Sequence, residues 1–278
     1  MKGLKGKTAI VTGSGRKQGI GEAIAFRLAQ EGCNVVITDL GTPIGKEFSK
    51  DHIGSSSEMK GIVRNINKNA KGKAISVACD VRKEKSVKNL FEKALKKFKS
   101  VDILVNNAGV GYIMEPFTEF KEKSWDAVLD VNLKGAFLCS KHAAIQMQNQ
   151  KSGGSIINIA SQAAKSGFPY AAAYTASKHG MIGLTRSNAV ELGKFKIRVN
   201  AVCPNHITTG LGHWQNKFFS EKLGLDYETY LQAIKDKNPL GRTGMVEDIA
   251  KAVTFLASDQ ADYITGEAMN VSGGEEYH

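Results

Sequence analysis

The chain has 278 residues, 42% of them hydrophobic and 23% charged, enough apolar material to bury one full α/β core. Its formal charge of +11 raises the question of nucleic acid, but the lysines concentrate between Lys60 and Lys99, interleaved at helical spacing with Val87, Leu90, Phe91, Ala94, Leu95 and Phe98. That is the solvated face of an amphipathic helix without aromatic–basic interleaving, so no nucleic-acid partner is expected. Met1 to Lys7 is short and polar, which supports neither secretion nor a membrane span. Cys33, Cys79, Cys139 and Cys203 lie far apart with no C-x-x-C pair. They read as buried free thiols of a reducing, cytoplasmic setting, and no residues show metal-ligand spacing.

In chain order, Lys7–Thr12 reads as a strand and Gly19–Glu31 as a helix with apolar Ile20, Ala23, Ile24 and Leu28. Between them runs Gly13-Ser14-Gly15-Arg16-Lys17-Gln18-Gly19-Ile20-Gly21. Glycines at a strand-to-helix junction let a pyrophosphate approach the free N–H groups and positive dipole end of the helix. The next strand, Asn34–Thr38, ends at Asp39. A carboxylate there accepts hydrogen bonds from both ribose hydroxyls and repels a 2′-phosphate, which favours NAD over NADP. Arg16 and Lys17 pull the other way, since either can meet a 2′-phosphate.

The stretch 40–57 is rich in Gly, Ser and Lys and breaks the rhythm; it reads as a surface insertion, with cofactor cover or subunit contact as alternatives. Glu58–Asn69 is helical, and Ala74–Cys79, Val101–Val105, Ser155–Ala160 and Ile197–Val202 are further strands. Their continuous hydrophobicity means burial on both faces. The expected fold is therefore a doubly wound parallel sheet with helices on both sides, a single Rossmann domain over residues 1–278. The stretch 205–238, carrying Trp214, Phe218, Phe219, Tyr227 and Tyr230 between glycines, is a candidate cover over a ligand site.

Tyr174 and Lys178 are four apart and share one helix face. A tyrosine titrates ordinarily near ~10, and a neighbouring ammonium favours its phenolate. Such a phenol takes a proton from an alcohol, or gives one to a developing alkoxide. Ser161, at the end of a strand, is poised to hydrogen-bond the same substrate oxygen.

Taken with the glycine loop, this set resembles the short-chain dehydrogenase/reductase family from about Gly6 to Gly274. The resemblance implies that Asn106-Asn107-Ala108-Gly109 lines the cofactor pocket, and that Asn132 is the asparagine that supports Lys178. It also implies that Asp80-Val81 contacts the adenine, and that Pro204, Ile207 and Thr209 hold the nicotinamide. Gly13, Ser14, Gly15, Gln18, Gly19, Ile20 and Asp39 complete the expected cofactor set, together with Tyr174 and Lys178. Gln162, His206 and Trp214 join Ser161 and Tyr174 on the substrate side, where Tyr112 and Met114 also fall. Two departures stand out: five residues instead of three separate Gly13 from Gly19, and Asn205 replaces a glycine after Pro204.

The expected reaction is hydride transfer between NAD and a secondary alcohol or ketone, with a polyol or sugar-like compound as the leading substrate. An NADP-dependent 3-oxoacyl reductase, a reductase of cyclic or steroid-like ketones, and a non-catalytic dinucleotide sensor or scaffold stay open. The resemblance further implies a homo-oligomer, tetramer or dimer, packed through the helices after Asn107 and Tyr174.

Overall fold

The computed structural model describes residues 1–45 and 47–275. Seven strands form one parallel sheet: β1 (Thr8–Thr12), β2 (Asn34–Asp39), β3 (Ala74–Ala78), β4 (Ile103–Asn106), β5 (Gly154–Ile159), β6 (Ile197–Pro204) and β7 (Ala268–Val271). Their order is β3-β2-β1-β4-β5-β6-β7, so the chain reverses its direction of winding beside β1. Ligands of open α/β sheets bind at the carboxyl ends of the strands flanking such a reversal.

Alternation along each strand explains the two-sided burial. Ile10, Val36, Leu104, Ile156 and Val199 sit in one register row and face one side. There they pack on α3 (Glu84–Phe98), α5 (Gly135–Gln150) and α6 (Ala172–Leu192). Their neighbours Ala9, Val35, Ile103 and Ile157 face the other side. They meet α1 (Ile20–Gln30), α2 (Ser56–Asn69) and α9 (Val246–Ala257), through Ile24, Leu28, Ile62, Ile66, Val253 and Leu256. Each such side chain contributes about 1.5–3 kcal/mol by leaving water. The two helical layers hold the sheet rigid and leave its carboxyl edge to carry function.

The predicted strands fall within a few residues of those observed. The seventh was not foreseen. Strand β7 lies at the sheet edge, pairs only with β6 and is half-buried throughout, so its Ala-Met-Asn-Val carries no continuous apolar run. The stretch 205–238 is two helices, α7 (Gly210–Leu223) and α8 (Tyr227–Lys237). Thr209 caps the first by accepting from the Gly212 N–H, and Asp226 caps the second by accepting from the Thr229 N–H. A π-turn, Asp130–Lys134, joins α4 (Glu122–Leu129) to α5. Among the described residues no helix is long and apolar enough to cross a membrane. All four cysteines are free and buried.

Candidate active site

A cavity of about 420 Å³ runs along the carboxyl edge of the sheet. Its phosphate end is built by steric necessity. Gly13 has φ +62°, and a Cβ there would lie 2.6 Å from the Ala108 Cα. A Cβ on Gly21 would lie 2.6 Å from the Gly13 carbonyl oxygen. Asn107 fixes the approach: its side-chain amide donates to the carbonyls of Thr12 and Gly13, both at 2.9 Å. The Thr12 hydroxyl accepts from the N–H groups of Asn107 and Ala108. Gly19, the N-cap of α1, carries no side chain to cap its helix, and Gly19, Ile20 and Gly21 line the cavity. This cradle suits a diphosphate, whose charge the helix end would stabilise.

Two residues of the expected cofactor set lie outside the cavity lining. The Ser14 hydroxyl donates to the Val11 carbonyl and accepts from the Thr38 N–H, tying the loop to β2, and the residue is fully buried. Gly15 turns its N–H to the Asp39 carboxylate at 3.2 Å. Neither lines the cavity, because the lengthened loop bulges outward after Gly13. The bulge is stabilised by glutamates: Glu58 accepts from the Lys17 N–H and Glu22 from that of Gln18. Gln18, with φ +58°, still borders the cavity, as does Arg16.

The cavity is also lined by Asp39, Asp80 and Val81, the residues expected to meet the adenosine. Burial pushes the Asp39 carboxyl up from its ordinary value, opposed by N–H donors from Leu40, Gly54 and Gly15 and by the charge of Arg16. Burial also raises Asp80, but hydrogen bonds and charge from Arg82 outweigh it and leave that carboxyl below its ordinary value. The Arg82 fork meets both Asp80 oxygens at 2.8 Å.

The stretch 40–57 is no plain surface insertion; Lys46 within it lies outside the described residues. Its ends pair, Gly41 with Ser55, and Phe48, His52 and Ile53 line the cavity. Phe48 and Ile53 are only 6% exposed. Arg82 lies 4.2 Å over the Phe48 ring, and a Cβ on Gly54 would collide with the backbone of Gly15 at 2.3 Å. The segment therefore roofs the cavity beside Asp39 and Asp80.

At the opposite end Ser161 follows β5 and Tyr174 opens α6. Their hydroxyls are hydrogen-bonded, and burial of the phenol raises its pKa more than Ser161 lowers it. Lys178, 4% exposed, holds its Nζ 5.6 Å from the Tyr174 ring centre and donates to the Ile159 carbonyl at 2.8 Å. Burial lowers its pKa to about 8. The π-turn aims Asn132 inward. Its amide nitrogen donates to the Val110 carbonyl and to Ser177 Oγ, both at 3.0 Å, and its Oδ1 accepts from the Val110 N–H. A Cβ on Gly109 would sit 3.5 Å from Asn132 Oδ1 and 3.7 Å from Lys178 Nζ, so both groups face the small volume beside Gly109.

Pro204, Ile207 and Thr209 border the cavity beside Ala108 and Gly109, and so do Gln162, His206, Tyr112 and Met114. Burial lowers the His206 pKa, against the charge of Glu275. Trp214 does not line the cavity. On α7 Gly210, Leu211, Gly212, Gln215, Asn216 and Phe219 line it, with Leu211, Gln215 and Phe219 spaced four apart, and Trp214 lies off that face, stacked on Phe218 at 5.5 Å. Sequence reasoning missed that face, although the Thr209 cap and the spacing of 211, 215 and 219 signal it.

A phosphate cradle and an acidic β2 end at one side, and a serine–tyrosine–lysine cluster at the other, define the class of nicotinamide-dependent oxidoreductases. A family model described as enoyl-(acyl carrier protein) reductase matches residues 13–276. A short-chain dehydrogenase/reductase of Armillaria gallica is 36% identical, over 97% of this chain and 96% of that protein. The 3-oxoacyl-(acyl-carrier-protein) reductase FabG of Staphylococcus aureus (strain N315) is 39% identical, over 96% and 97%. Among solved structures, an NAD⁺-bound xylitol dehydrogenase superposes with a TM-score of 0.87 at 30% identity, covering 98% of this chain and 100% of that one. A carveol dehydrogenase from Mycobacterium avium in complex with NAD gives 0.89 at 29%, covering 99% of each. The chain belongs to the short-chain dehydrogenase/reductase family, and it is an NAD(P)-dependent dehydrogenase or reductase.

Proposed function

We propose that the enzyme interconverts a secondary alcohol and its ketone with NAD, in one dinucleotide-binding domain that spans the chain. The observation that carries this reading is the hydrogen bond between Ser161 and Tyr174, beside a buried Lys178, in the cavity whose other end is the glycine cradle. When bound, the nicotinamide supplies the hydride acceptor or donor. Ser161 and Tyr174 hold the substrate oxygen between their hydroxyls. Tyr174 takes the hydroxyl proton during oxidation and returns it during reduction, and Lys178 stabilises the phenolate. Asn132 keeps the volume beside Lys178 polar and shaped. His206 and Gln162 border the substrate.

NAD is favoured over NADP by Asp39. Its carboxylate is enclosed by Gly15 and Gly54, and a 2′-phosphate there would meet a like charge with no room to withdraw.

For the substrate, the polar side chains near Tyr174 are largely committed. Gln215 donates to the Gly111 carbonyl, and Asn205 to Glu275. Phe168, Leu211 and Phe219 present apolar surface to the same cavity. A polyol would lose water from most of its hydroxyls there and gain few partners beyond Ser161 and Tyr174. A compact cyclic alcohol or ketone therefore fits better, with the polyol reading supported by the xylitol dehydrogenase likeness.

The enzyme is further read as cytoplasmic and as a homo-oligomer, the second because Phe137 and Ile145 on α5 and Val190 on α6 point apolar side chains outward. Light scattering at micromolar concentration tests this, and a monomer would refute it. The function is tested by NADH fluorescence titration, followed by a panel of cyclic alcohols, polyols and hydroxyacyl thioesters with NAD⁺ read at the NADH absorbance. Failure to bind NADH, or binding without turnover of any member, would reject the reading.

A further inference from the structure

The roof over the adenosine end and the helix over the substrate end are distant in sequence, yet an unbroken chain of rings connects them. His52 stacks on Tyr112 with ring centres 3.6 Å apart and planes inclined by 13°. Tyr112 meets Trp214 edge-on at 6.5 Å, and Trp214 stacks on Phe218 at 5.5 Å. Phe218 then meets Tyr170 edge-on at 5.8 Å. Tyr170 holds φ +64°, in the left-handed region, four residues ahead of Tyr174. A non-glycine residue held there is kept by its surroundings.

Polar contacts reinforce both joints. The Tyr112 hydroxyl donates to the Glu47 carbonyl, and Lys123 pairs with the Glu47 carboxylate at 2.6 Å. On the other side, Gln215 of α7 donates to the Gly111 carbonyl at 2.9 Å, next to Tyr112. Among the aromatic pairs of the described residues, Tyr112 is the one that joins a ring of one cover to a ring of the other. Offset and edge-on aromatic pairs stabilise beyond simple burial, so parting either joint costs contacts in the other.

We propose that segment 47–55 and helix α7 are one closure joined at Tyr112, so that the adenosine end of the dinucleotide escapes only when α7 also moves. The inference rests on the reading of the cavity as a dinucleotide site. Tyr112 and Trp214 are positioning residues here. Trp214 lies outside the cavity, so its effect on adenosine release passes through its ring neighbours Tyr112 and Phe218, and the double variant separates the two routes.

The test measures release of ADP-ribose, which lacks the nicotinamide ring. Protein saturated with ADP-ribose is mixed in a stopped-flow cell with excess NADH, whose fluorescence rises as ADP-ribose departs. Trp214→Ala and Tyr112→Ala should each speed release at least about fivefold, the low end of ordinary coupling between sites. The double variant should be no faster than the faster single one, because both break the same joint. Trp214→Phe keeps a ring and should release near the wild-type rate. If the alanine variant is too unstable, Trp214→Leu keeps the bulk and gives the same reading. Wild-type release rates in Trp214→Ala or Trp214→Leu, or effects of the two sites that multiply, would overturn the proposal. Absence of NADH binding by the wild type would instead remove the dinucleotide reading, and this proposal with it.

Discussion

The ammonium of Lys178 donates to the carbonyl oxygen of Ile159 at 2.8 Å, tying the candidate proton-relay helix to the end of β5. Burial lowers its pKa from 10.5 to about 8. A cation whose pKa is depressed by folding makes the folded state less stable wherever the group is charged. Between about pH 8 and 10.5 the unfolded chain binds the extra proton, so stability rises with pH across that window. Lys178→Met removes the buried charge but leaves the Ile159 carbonyl unpaired, at about 1–3 kcal/mol. The charge cost is on the order of 3 kcal/mol, so the variant should be as stable as wild type at pH 7, or slightly more so, while losing turnover. A fall in Tm by more than about 5 °C, roughly 2 kcal/mol at this size, would show that Lys178 is a structural residue first.

Turnover should also carry the signature of Tyr174. Alcohol oxidation needs the phenolate and rises with pH; ketone reduction needs the phenol and falls. Ser161 lowers the phenol pKa, so Ser161→Ala should move the oxidation limb to higher pH as well as slow the reaction. Tyr174→Phe should reduce kcat by about 10²–10⁴-fold with NADH affinity nearly unchanged. Initial rates from pH 7 to 11 with fluorescence titration of NADH decide the matter. A Phe variant with wild-type kcat would assign the proton to another group.

The glycine cradle separates packing from binding. Gly13→Ala and Gly21→Ala each place a Cβ within 2.6 Å of backbone, and should lower stability by about 1–3 kcal/mol besides weakening NADH. A Cβ on Gly19 would meet only Arg16, its carbonyl oxygen at 3.2 Å and its Cβ at 3.9 Å. Gly19→Ala should therefore keep a Tm near wild type while its methyl weakens NADH binding. Thermal melts with and without NADH compare the three. Equal loss of Tm in all of them would refute the division.

How far the sequence announces this architecture depends on whether a residue's partner is local. Ile10, Val36 and Leu104 declare a parallel sheet by their continuous apolar runs, and Tyr174 with Lys178 declare a shared helix face by spacing alone. Phe48 and Ile53 declare nothing, because they sit in a Gly-, Ser- and Lys-rich stretch and their burial comes from residues remote in sequence, the core cluster of Ile10 and Val36 and, over Phe48, Arg82. Trp214 misleads for a related reason. Its size suggests a substrate contact, but α7 turns Leu211, Gln215 and Phe219 toward the cavity and leaves the indole to Phe218 and Tyr112.

Asp39 offers the sharpest test of cofactor preference. Its carboxyl is raised by burial, and the N–H groups of Leu40, Gly54 and Gly15 hold it in place. NADH should bind more tightly than NADPH at neutral pH, because a 2′-phosphate would face a fixed negative charge. Asp39→Asn removes that charge, keeps an oxygen acceptor for the same N–H groups, and should narrow the preference by about tenfold, one pKa unit's worth of interaction. Lowering the pH acts in the same direction. A carboxyl raised above its ordinary value protonates sooner as pH falls, so the wild-type preference should shrink toward pH 5, whereas that of Asp39→Asn should change less. Parallel NADH and NADPH titrations of both proteins at pH 5 and pH 8 check this. Tighter NADPH binding by the wild type at pH 8 would reverse the assignment and move the recognition of that phosphate to Arg16 and Lys17.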